Sequence, residues 1–237
     1  LHAINDRRIT EEEAHAAMDG AASGPIEEGS VGGGTGMNCY GFSGGCGTAS
    51  RRVAWGERTY TVGAFVQANF GGRAELAIAG VPVGRELLDD DPLGADDWLV
   101  PPGAGSVIAI IATDAPLLPN QCKALARRVP LGLARTGTTG SHFSGDIFLA
   151  FSTANAGQYA KGFPHGEPSD AEIARLDALP WTRLDDLFAA TVQSVEEAVV
   201  NALVANEEMH GRKGRRVPAL PRERVVELLR DAGRIAG

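Results

Sequence analysis

The chain has 237 residues, of which 43% are hydrophobic, so it is long enough and apolar enough to bury a substantial core. Its formal net charge of -8 excludes the protein classes that bind nucleic acid or anionic membranes through clustered Lys and Arg. We therefore expect no nucleic-acid partner and no membrane partner, and no apolar run approaches the roughly 20 residues that a membrane-spanning helix needs.

The start of the sequence and its cysteines bear on processing and location. Because residue 1 is Leu rather than Met, we expect a fragment or a processed product. The lack of a signal pattern favours the cytoplasm, whereas a signal peptide ahead of residue 1 would direct the protein to the periplasm. Cys39, Cys46 and Cys122 lack the paired spacing of a zinc site and are expected to be free buried thiols. A bridge between Cys39 and Cys46 across a hairpin is the alternative.

The first predicted element is a short helix over residues 10–20, where Thr10 and Glu13 form a capping box. Residues 30–53 contain so many glycines that we expect only strand edges and tight turns there. Residues 58–69 alternate polar and apolar side chains, which predicts a strand. A second short strand over residues 76–83 is expected to pair with it as a hairpin.

A long exposed loop leads into the strand around which the chain is arranged. Residues 86–105 combine acids with three prolines and three glycines and cannot bury enough apolar surface to order themselves. Ser106 follows, and the apolar run 107–112 predicts a strand buried on both faces. Gly105 has no Cβ, so a nearby nucleophile could reach its carbonyl group.

Strands and helices alternate in the rest of the chain. Thr113 or Asp114 is expected to cap a helix that contains Pro119 and runs to residue 128. Residues 146–153 predict another apolar strand, residues 184–209 a long amphipathic helix facing a sheet, and residues 221–232 a final helix. The basic residues 212–216 are expected to form a solvated loop. This order of elements favours an α/β sandwich with helices packed on the sheet.

Two motifs suggest chemistry but lack the context that it requires. The glycines of residues 32–36 resemble a phosphate-binding loop, yet neither a lysine nor a dinucleotide-type acidic partner follows. Residues 41–45 match G-x-S-x-G, the nucleophile elbow of α/β-hydrolases, with Ser43 as nucleophile and His165 as base. That elbow needs a strand before the serine and a helix after it, and glycines and Thr48 disfavour the helix. An esterase using Ser43 is therefore kept only as an alternative.

A third motif, Ser144-Gly145-Asp146, precedes the predicted strand that begins near residue 147. An aspartate at the start of a strand can polarise a nearby hydroxyl group, and a serine nucleophile needs such a partner because its own pKa is far above 7. An ordinary turn has the same residue types. His142 could act as a base or have only a structural role.

Four segments in this order resemble one known family: GSVGGGTGM at 29–37, VQANFG at 66–71, GSVIAIIATDAPLLPNQC at 105–122 and HFSGDIFLAFSTAN at 142–155. It is the L-aminopeptidase D-Ala-esterase/amidase family, which includes the β-peptidyl aminopeptidases. The resemblance implies a four-layer αββα sandwich similar to the N-terminal-nucleophile hydrolases, of which the N-terminal part is missing here. It implies one domain over residues 1–237, divided by self-cleavage into 1–105 (α subunit) and 106–237 (β subunit).

The same resemblance implies the residues of the site. Self-cleavage between Gly105 and Ser106 would make Ser106 an N-terminal nucleophile, Ser144 and Asp146 would be its helper pair, and Asn69 would stabilise the oxyanion. The implied function is a serine aminopeptidase that removes the N-terminal residue of short peptides, amides or esters through an acyl-enzyme on Ser106. We expect no cofactor and no metal, and a homo-oligomer of α/β heterodimers. Because family members have a long segment ahead of residue 1, a catalytically silent homologue or fragment with a binding role is the alternative.

Overall fold

The computed structural model describes residues 9–92, 105–158, 163 and 166–236. Within these residues the chain forms five α-helices and eight β-strands. The helices are α1 (Glu11–Asp19), α2 (Pro119–Ala126), α3 (Val129–Arg135), α4 (Asp185–Val204) and α5 (Arg222–Asp231). The strands are β1 (Asn38–Cys39), β2 (Phe42–Ser43), β3 (Gly45–Trp55), β4 (Arg58–Asn69), β5 (Ser106–Thr113), β6 (Ile147–Ser152), β7 (Met209–His210) and β8 (Arg216–Val217).

A mixed four-stranded sheet with the strand order β3-β4-β5-β6 forms the centre of the fold. The strands β3, β4 and β5 are antiparallel neighbours, whereas β6 lies parallel to β5. Parallel neighbours need a crossover, which α2 and α3 supply between β5 and β6. Two short ladders, β1 with β2 and β7 with β8, lie outside this sheet.

Helix α4 covers one face of the sheet and packs against β3 and β4. Gly47 of β3 allows this approach, because a Cβ there would lie 2.0 Å from the carbonyl oxygen of Ala198 in α4. By length and composition α4 could cross a membrane, contrary to the expectation that no run in the chain is long enough. Half of its 18-residue apolar window is buried inside the protein, where the helix packs on the sheet.

Most of the predicted elements are confirmed. Helix α1 has Thr10 as its N-cap, and Thr10 and Glu13 form the expected capping box. The predicted strand over residues 58–69 is β4. The later predictions correspond to α2, β6, α4 and α5, but α2 begins later than expected and α4 ends at Val204, five residues before the predicted end.

The predicted hairpin partner of β4 is wrong. Residues 76–83 contribute only an isolated bridge between Ile78 and Val81, since Ala79 has a φ of 50° and Pro82 has no amide hydrogen. The antiparallel partner is β3, which begins inside the stretch where glycines argued against a strand interior. Glycine is tolerated in β3 because α4 packs directly on the strand backbone, and this cannot be seen from local sequence.

The expected helix cap at Thr113 or Asp114 is also wrong, because α2 begins at Pro119 with Leu118 as its N-cap. Asp114 instead accepts a hydrogen bond from the backbone N–H of Thr61 (2.7 Å), and the Thr113 hydroxyl donates to the Thr61 carbonyl (2.6 Å). Both side chains therefore fasten the end of β5 to β4.

We expected β5 to be buried on both faces. In the described part of the chain only one face is buried, so this expectation is wrong there. Val107, Ala109 and Ile111 are buried, whereas Ile108 on the opposite face is 38% exposed. Its neighbours on β6 extend an open apolar face, formed by Ile108, Ile147, Leu149 and Phe151. Contiguous apolar surface of this kind marks a region that packs against further protein.

We predict that the 237-residue chain self-associates through this open apolar face. The substitution Leu149→Lys is expected to weaken association about tenfold, because it would bury an unpaired ammonium group in an apolar contact. Leu131→Lys is the matched control, since Leu131 lies on α3 and is 55% exposed, compared with 53% for Leu149. Sedimentation velocity measures both variants, and equal effects would contradict the prediction.

The three cysteines are free and buried, as expected. Burial raises the pKa of each thiol, which disfavours the reactive thiolate at neutral pH. In the described part of the chain, no group of three or more His, Cys, Asp or Glu residues is arranged to hold a metal ion.

Candidate active site

Ser106 and Asn69 lie directly opposite each other at one end of the central sheet. Ser106 is the first residue of β5, Asn69 is the last residue of β4, and the two are paired in the antiparallel register. Both are partly buried. The strand β4 ends here because Gly71 follows in a left-handed conformation (φ 87°), which turns the chain away from the sheet. The predicted nucleophile and the predicted oxyanion donor are therefore brought together by strand pairing.

The Ser106 hydroxyl oxygen accepts a hydrogen bond from the backbone N–H of Gly145 at 2.8 Å. Gly145 and Asp146 come just before β6, and Ile147 at the start of β6 is paired with Ile108 of β5. Because parallel strands begin at the same edge of a sheet, the Ser144-Gly145-Asp146 segment reaches the beginning of β5. This contact was not predicted, because a backbone donor leaves no signal in residue type.

Asp146 contacts the residue after the predicted nucleophile. Its Oδ1 accepts a hydrogen bond from the backbone N–H of Val107 at 2.9 Å. Ser144 lies in a turn in which its own N–H donates to the Ser141 carbonyl at 2.9 Å. The predicted helper pair thus lies in the loop that touches Ser106, and Gly145 between the pair makes the direct contact.

The side-chain amide of Asn69 is oriented by a backbone contact from another strand. Its Oδ1 accepts a hydrogen bond from the N–H of Asn38 in β1 at 2.9 Å. A backbone N–H can only donate, so it selects the oxygen of the amide and directs the NH₂ group of Asn69 elsewhere. The predicted oxyanion role of Asn69 requires this NH₂ group as the donor.

Arg73 holds the turn between β1 and β2. Its guanidinium group is buried, donates to the carbonyl oxygens of Tyr40, Gly41 and Leu87, and stacks over the Phe42 ring at 3.6 Å. Burial lowers the pKa of Arg73, and Asp91 at 3.8 Å opposes that shift. The group stays cationic, since an arginine cannot be deprotonated at ordinary pH. Sequence reasoning missed Arg73, which belongs to no motif.

Tyr40 connects the turn between β1 and β2 to residues 136–138, which follow α3 and precede Ser144. Its hydroxyl group is 2.7 Å from the Thr136 hydroxyl and accepts a hydrogen bond from the N–H of Thr138 at 3.2 Å. Burial raises the pKa of Tyr40, so the phenol is neutral and can make both contacts. Tyr40 has a positive φ of 54°, a conformation that is unusual for a bulky residue and is held by these contacts.

The alternative nucleophile Ser43 has the wrong surroundings for an elbow. It is fully buried in β2, its hydroxyl oxygen lies 3.4 Å from that of Ser30, and the strand β3 follows instead of a helix. His165, its proposed base, lies outside the described residues. His142 is exposed and its ring lies 4.0 Å from that of Phe143.

Known proteins share both the sequence and the fold of this chain. A sequence profile of peptidase family S58 matches residues 1–217. The chain belongs to peptidase family S58. It is 43% identical to beta-peptidyl aminopeptidase BapA of Sphingosinicella microcystinivorans, an alignment that covers all of this chain and 60% of that protein. It is 40% identical to BapA of Sphingosinicella xenopeptidilytica, over 97% of this chain and 57% of that protein.

Solved structures show the fold of this S58 chain. The L-aminopeptidase D-Ala-esterase/amidase of Ochrobactrum anthropi, described as a new variant among the Ntn hydrolase fold, superposes with a TM-score of 0.81 at 45% identity. That comparison covers 97% of this chain and 59% of the other. A beta-aminopeptidase from a Burkholderia species gives a TM-score of 0.80 at 44% identity, over 95% of this chain and 60% of the other.

The expected fold class, an α/β variant of the N-terminal-nucleophile hydrolases, is thereby confirmed. The described residues supply the mixed sheet, with α4 packed on β3 and β4 and with α2 packed on β5 and β6. The chain spans about 60% of the length of the S58 relatives that it matches.

Proposed function

We propose that this chain is part of a self-cleaving serine aminopeptidase that hydrolyses the N-terminal residue of short peptides, amides or esters. The observation that carries the proposal is the contact of the Ser106 hydroxyl with Gly145, made directly opposite Asn69 and beside Asp146. Family membership supports the reaction class. In the mature protein, residues 1–105 and 106–237 would form the two subunits of one αββα domain, and such α/β pairs would assemble into a homo-oligomer.

Self-cleavage converts the precursor into the enzyme. The Ser106 hydroxyl oxygen attacks the carbonyl carbon of Gly105, the C–N bond between these residues breaks, and the proton of the hydroxyl passes to the released amine. Water then hydrolyses the ester, which leaves a carboxylate on Gly105 and a free hydroxyl and amine on Ser106. Ser106 has no free amine before the cut, so we assign its first activation to Ser144 and Asp146.

Turnover uses the amine that cleavage releases. An α-amine titrates at about 7.7 to 8.0, so near neutral pH it can accept the hydroxyl proton of Ser106 as the oxygen attacks the substrate carbonyl. The NH₂ group of Asn69 would donate to the oxyanion, and such a donor contributes about 2.7 to 4 kcal/mol in a serine protease. Water releases the acyl group from Ser106. No step requires a cofactor.

Intact-mass measurement tests the proposal. We expect the natural full-length protein to separate into two chains whose masses match a cut between Gly105 and Ser106. The variant Ser106→Ala is expected to remain a single chain without aminopeptidase activity, because it lacks the nucleophile. The control Ser43→Ala is expected to be cut and active. A wild-type protein that stays intact after long incubation would instead favour a catalytically silent homologue with a binding role.

A further inference from the structure

Residues 136–139, which follow α3, lie directly against the residues that follow β4. The N–H of Ala77 donates to the carbonyl oxygen of Thr136 at 2.9 Å. A Cβ on Gly137 would overlap the carbonyl oxygen of Glu75, so the two backbones come this close only because position 137 is a glycine. The two segments are therefore fastened to each other along their backbones.

The carboxylate of Glu75 joins residues 136–139 to the end of β4. Its Oε2 accepts a hydrogen bond from the N–H of Gly72 at 2.9 Å. Its Oε1 accepts a hydrogen bond from the hydroxyl group of Thr139 at 3.1 Å. Because Gly72 follows closely after Asn69, this one side chain connects residues 136–139 to the strand end that carries the predicted oxyanion donor.

The hydroxyl group of Tyr40 makes a second link, in which each hydrogen bond has a fixed direction. The Thr136 hydroxyl donates its only hydrogen to the carbonyl oxygen of Leu133 at 2.7 Å. The Tyr40 hydroxyl is therefore the donor in its 2.7 Å contact with the Thr136 oxygen. Its own oxygen accepts a hydrogen bond from the N–H of Thr138 at 3.2 Å. Tyr40→Phe would remove both contacts and take this acceptor from the Thr138 N–H.

Tyr40 also contacts the residues that come directly after Asn69. Its N–H donates to the carbonyl oxygen of Phe70 at 2.8 Å, and the two rings lie edge to face with their centroids 5.3 Å apart. The ring packs on Gly71 so closely that a Cβ there would overlap it. Tyr40 is fully buried, so its phenol bridges the end of β4 and residues 136–138 inside the core.

The chain continues from this bridge into the loop that contacts the predicted nucleophile. The carbonyl oxygen of Ser141 accepts a hydrogen bond from the N–H of Ser144 at 2.9 Å. The N–H of Gly145 then donates to the Ser106 hydroxyl at 2.8 Å. Contacts that fix residues 136–139 therefore also limit where this loop can lie relative to Ser106.

We infer that Tyr40 and Glu75 are positioning residues of the site. They hold the Ser144-Gly145-Asp146 segment at the distance from Asn69 that the reaction requires. The inference rests on the proposed function, because a cut before Ser106 leaves Asn69 and that segment on different chains. Their relative placement then depends on non-covalent contacts across the subunit boundary, which Tyr40 and Glu75 supply. Misplacing a reacting group by about 1 Å can slow a reaction on the order of a hundredfold.

Tyr40→Phe tests this role in the natural full-length protein, because it removes the hydroxyl group and keeps the ring. We expect self-cleavage and kcat to fall about tenfold, and KM to change less than about twofold, since the reacting groups are misplaced while the substrate surface remains. The substrate is the p-nitroanilide of L-alanine or β-alanine, whichever the wild type hydrolyses. Tyr60→Phe is the matched control, because Tyr60 is also buried but lies near the other end of β4. An unchanged kcat in Tyr40→Phe, or equal effects in both variants, would overturn the inference.

A double-mutant cycle separates positioning from a general loss of stability. If Tyr40 acts through the segment that contains Asp146, Tyr40→Phe is expected to slow the Asp146→Ala variant by less than about twofold. A general loss of stability would lower the rate by the same factor in both backgrounds, and that result would overturn the inference.

The link through Glu75 is tested at Thr139, which is exposed and can be replaced without disturbing the core. Thr139→Val keeps the shape of the side chain and removes the hydroxyl group, so we expect kcat to fall about threefold. Thr139→Ser keeps the hydroxyl group and is expected to retain the wild-type kcat. Equal rates in the two variants would contradict the role of Glu75.

Hydrogen exchange gives a readout that needs no catalysis. We expect the amides of residues 140–146 to exchange at least about fivefold faster in Tyr40→Phe than in the wild type, because the loop opens more often when the bridge is lost. Tyr60→Phe is expected to exchange as the wild type does, and mass spectrometry measures all three proteins. Equal exchange in Tyr40→Phe and the wild type would overturn the inference even in an inactive protein. Failure of the proposed function would be seen separately, as a wild-type protein that is neither cut nor active.

Discussion

Replacing Gly105 with alanine is expected to slow self-cleavage at least a hundredfold and to destabilise the chain by about 1 to 3 kcal/mol, the usual range for overpacking. A Cβ on Gly105 would lie 1.9 Å from the carbonyl oxygen of Asn69 and 2.9 Å from its carbonyl carbon. These are backbone atoms of the paired strand β4, so they cannot turn aside as a flexible side chain could. The start of β5 must then move away from β4, which separates Ser106 from Asn69.

Gly63→Ala is the matched control for Gly105→Ala, because it adds the same methyl group to the same pair of strands. The nearest atom to a Cβ on Gly63 is the carbonyl oxygen of Ala112 at 3.8 Å, an ordinary contact. This variant is expected to be cut normally and to be about 0.5 to 1 kcal/mol more stable, since alanine costs less backbone entropy than glycine in a strand. Intact mass follows cleavage, and urea unfolding gives the stability. Cleavage of Gly105→Ala at the wild-type rate would show that close strand pairing at this step is unimportant.

Removing the side chain of Asp146 is expected to reduce both self-cleavage and amide hydrolysis about a hundredfold, the lower end of what acid–base groups contribute. Asp146→Ala removes the carboxylate that accepts a hydrogen bond from the N–H of Val107. It also removes the negative charge of the Ser144-Gly145-Asp146 segment, which contacts Ser106. The first residues of β5 would lose a contact from the β6 side, and the hydroxyl group would lose its predicted polarising partner.

Asp146→Asn separates these two effects, because its amide oxygen can still accept the hydrogen bond from Val107 while the charge is lost. We expect this variant to unfold at the wild-type temperature and to be slowed as Asp146→Ala is slowed, if the charge activates Ser106. A rate close to that of the wild type would instead assign Asp146 to positioning of β5. Intact mass over time and an amide-hydrolysis assay give the two rates. Wild-type rates in Asp146→Ala would exclude any role for this residue.

The fold could be predicted from the sequence wherever the hydrophobic pattern of a segment matches the burial of that segment in the structure. Alternation over residues 58–69 marks β4, and the apolar stripe of α4 marks the helix that covers the sheet. The prediction failed where a distant element decides the outcome. Glycines suggested that β3 was irregular, yet Gly47 is in a strand because α4 lies against it. Residues 76–83 have strand-like composition but find no partner strand in the described structure, because β3 and β5 occupy both edges of β4.

The candidate site was predicted in part, since residue type reveals side chains but not backbone donors. Ser106, Asn69, Ser144 and Asp146 were identified through family motifs, and the fold brings them to one end of the sheet. The N–H groups of Gly145 and Asn38 contact Ser106 and Asn69 and were not foreseen. Arg73 was missed for a related reason, because the three carbonyl oxygens that it holds come from parts of the chain far from it in sequence.

By itself the sequence determined the acidic globular character of the chain and most of its helices and strands. It also determined the resemblance to a hydrolase family and the Gly105-Ser106 bond at the start of a strand. These properties follow from composition, periodicity and short motifs, which are local. Only the tertiary structure decided which strands pair, that only one face of β5 is buried by the described residues, and that the backbone N–H of Asn38 orients the side chain of Asn69. Each of these depends on contacts between segments distant in sequence, which form because burial and hydrogen bonding are satisfied over the whole fold rather than residue by residue.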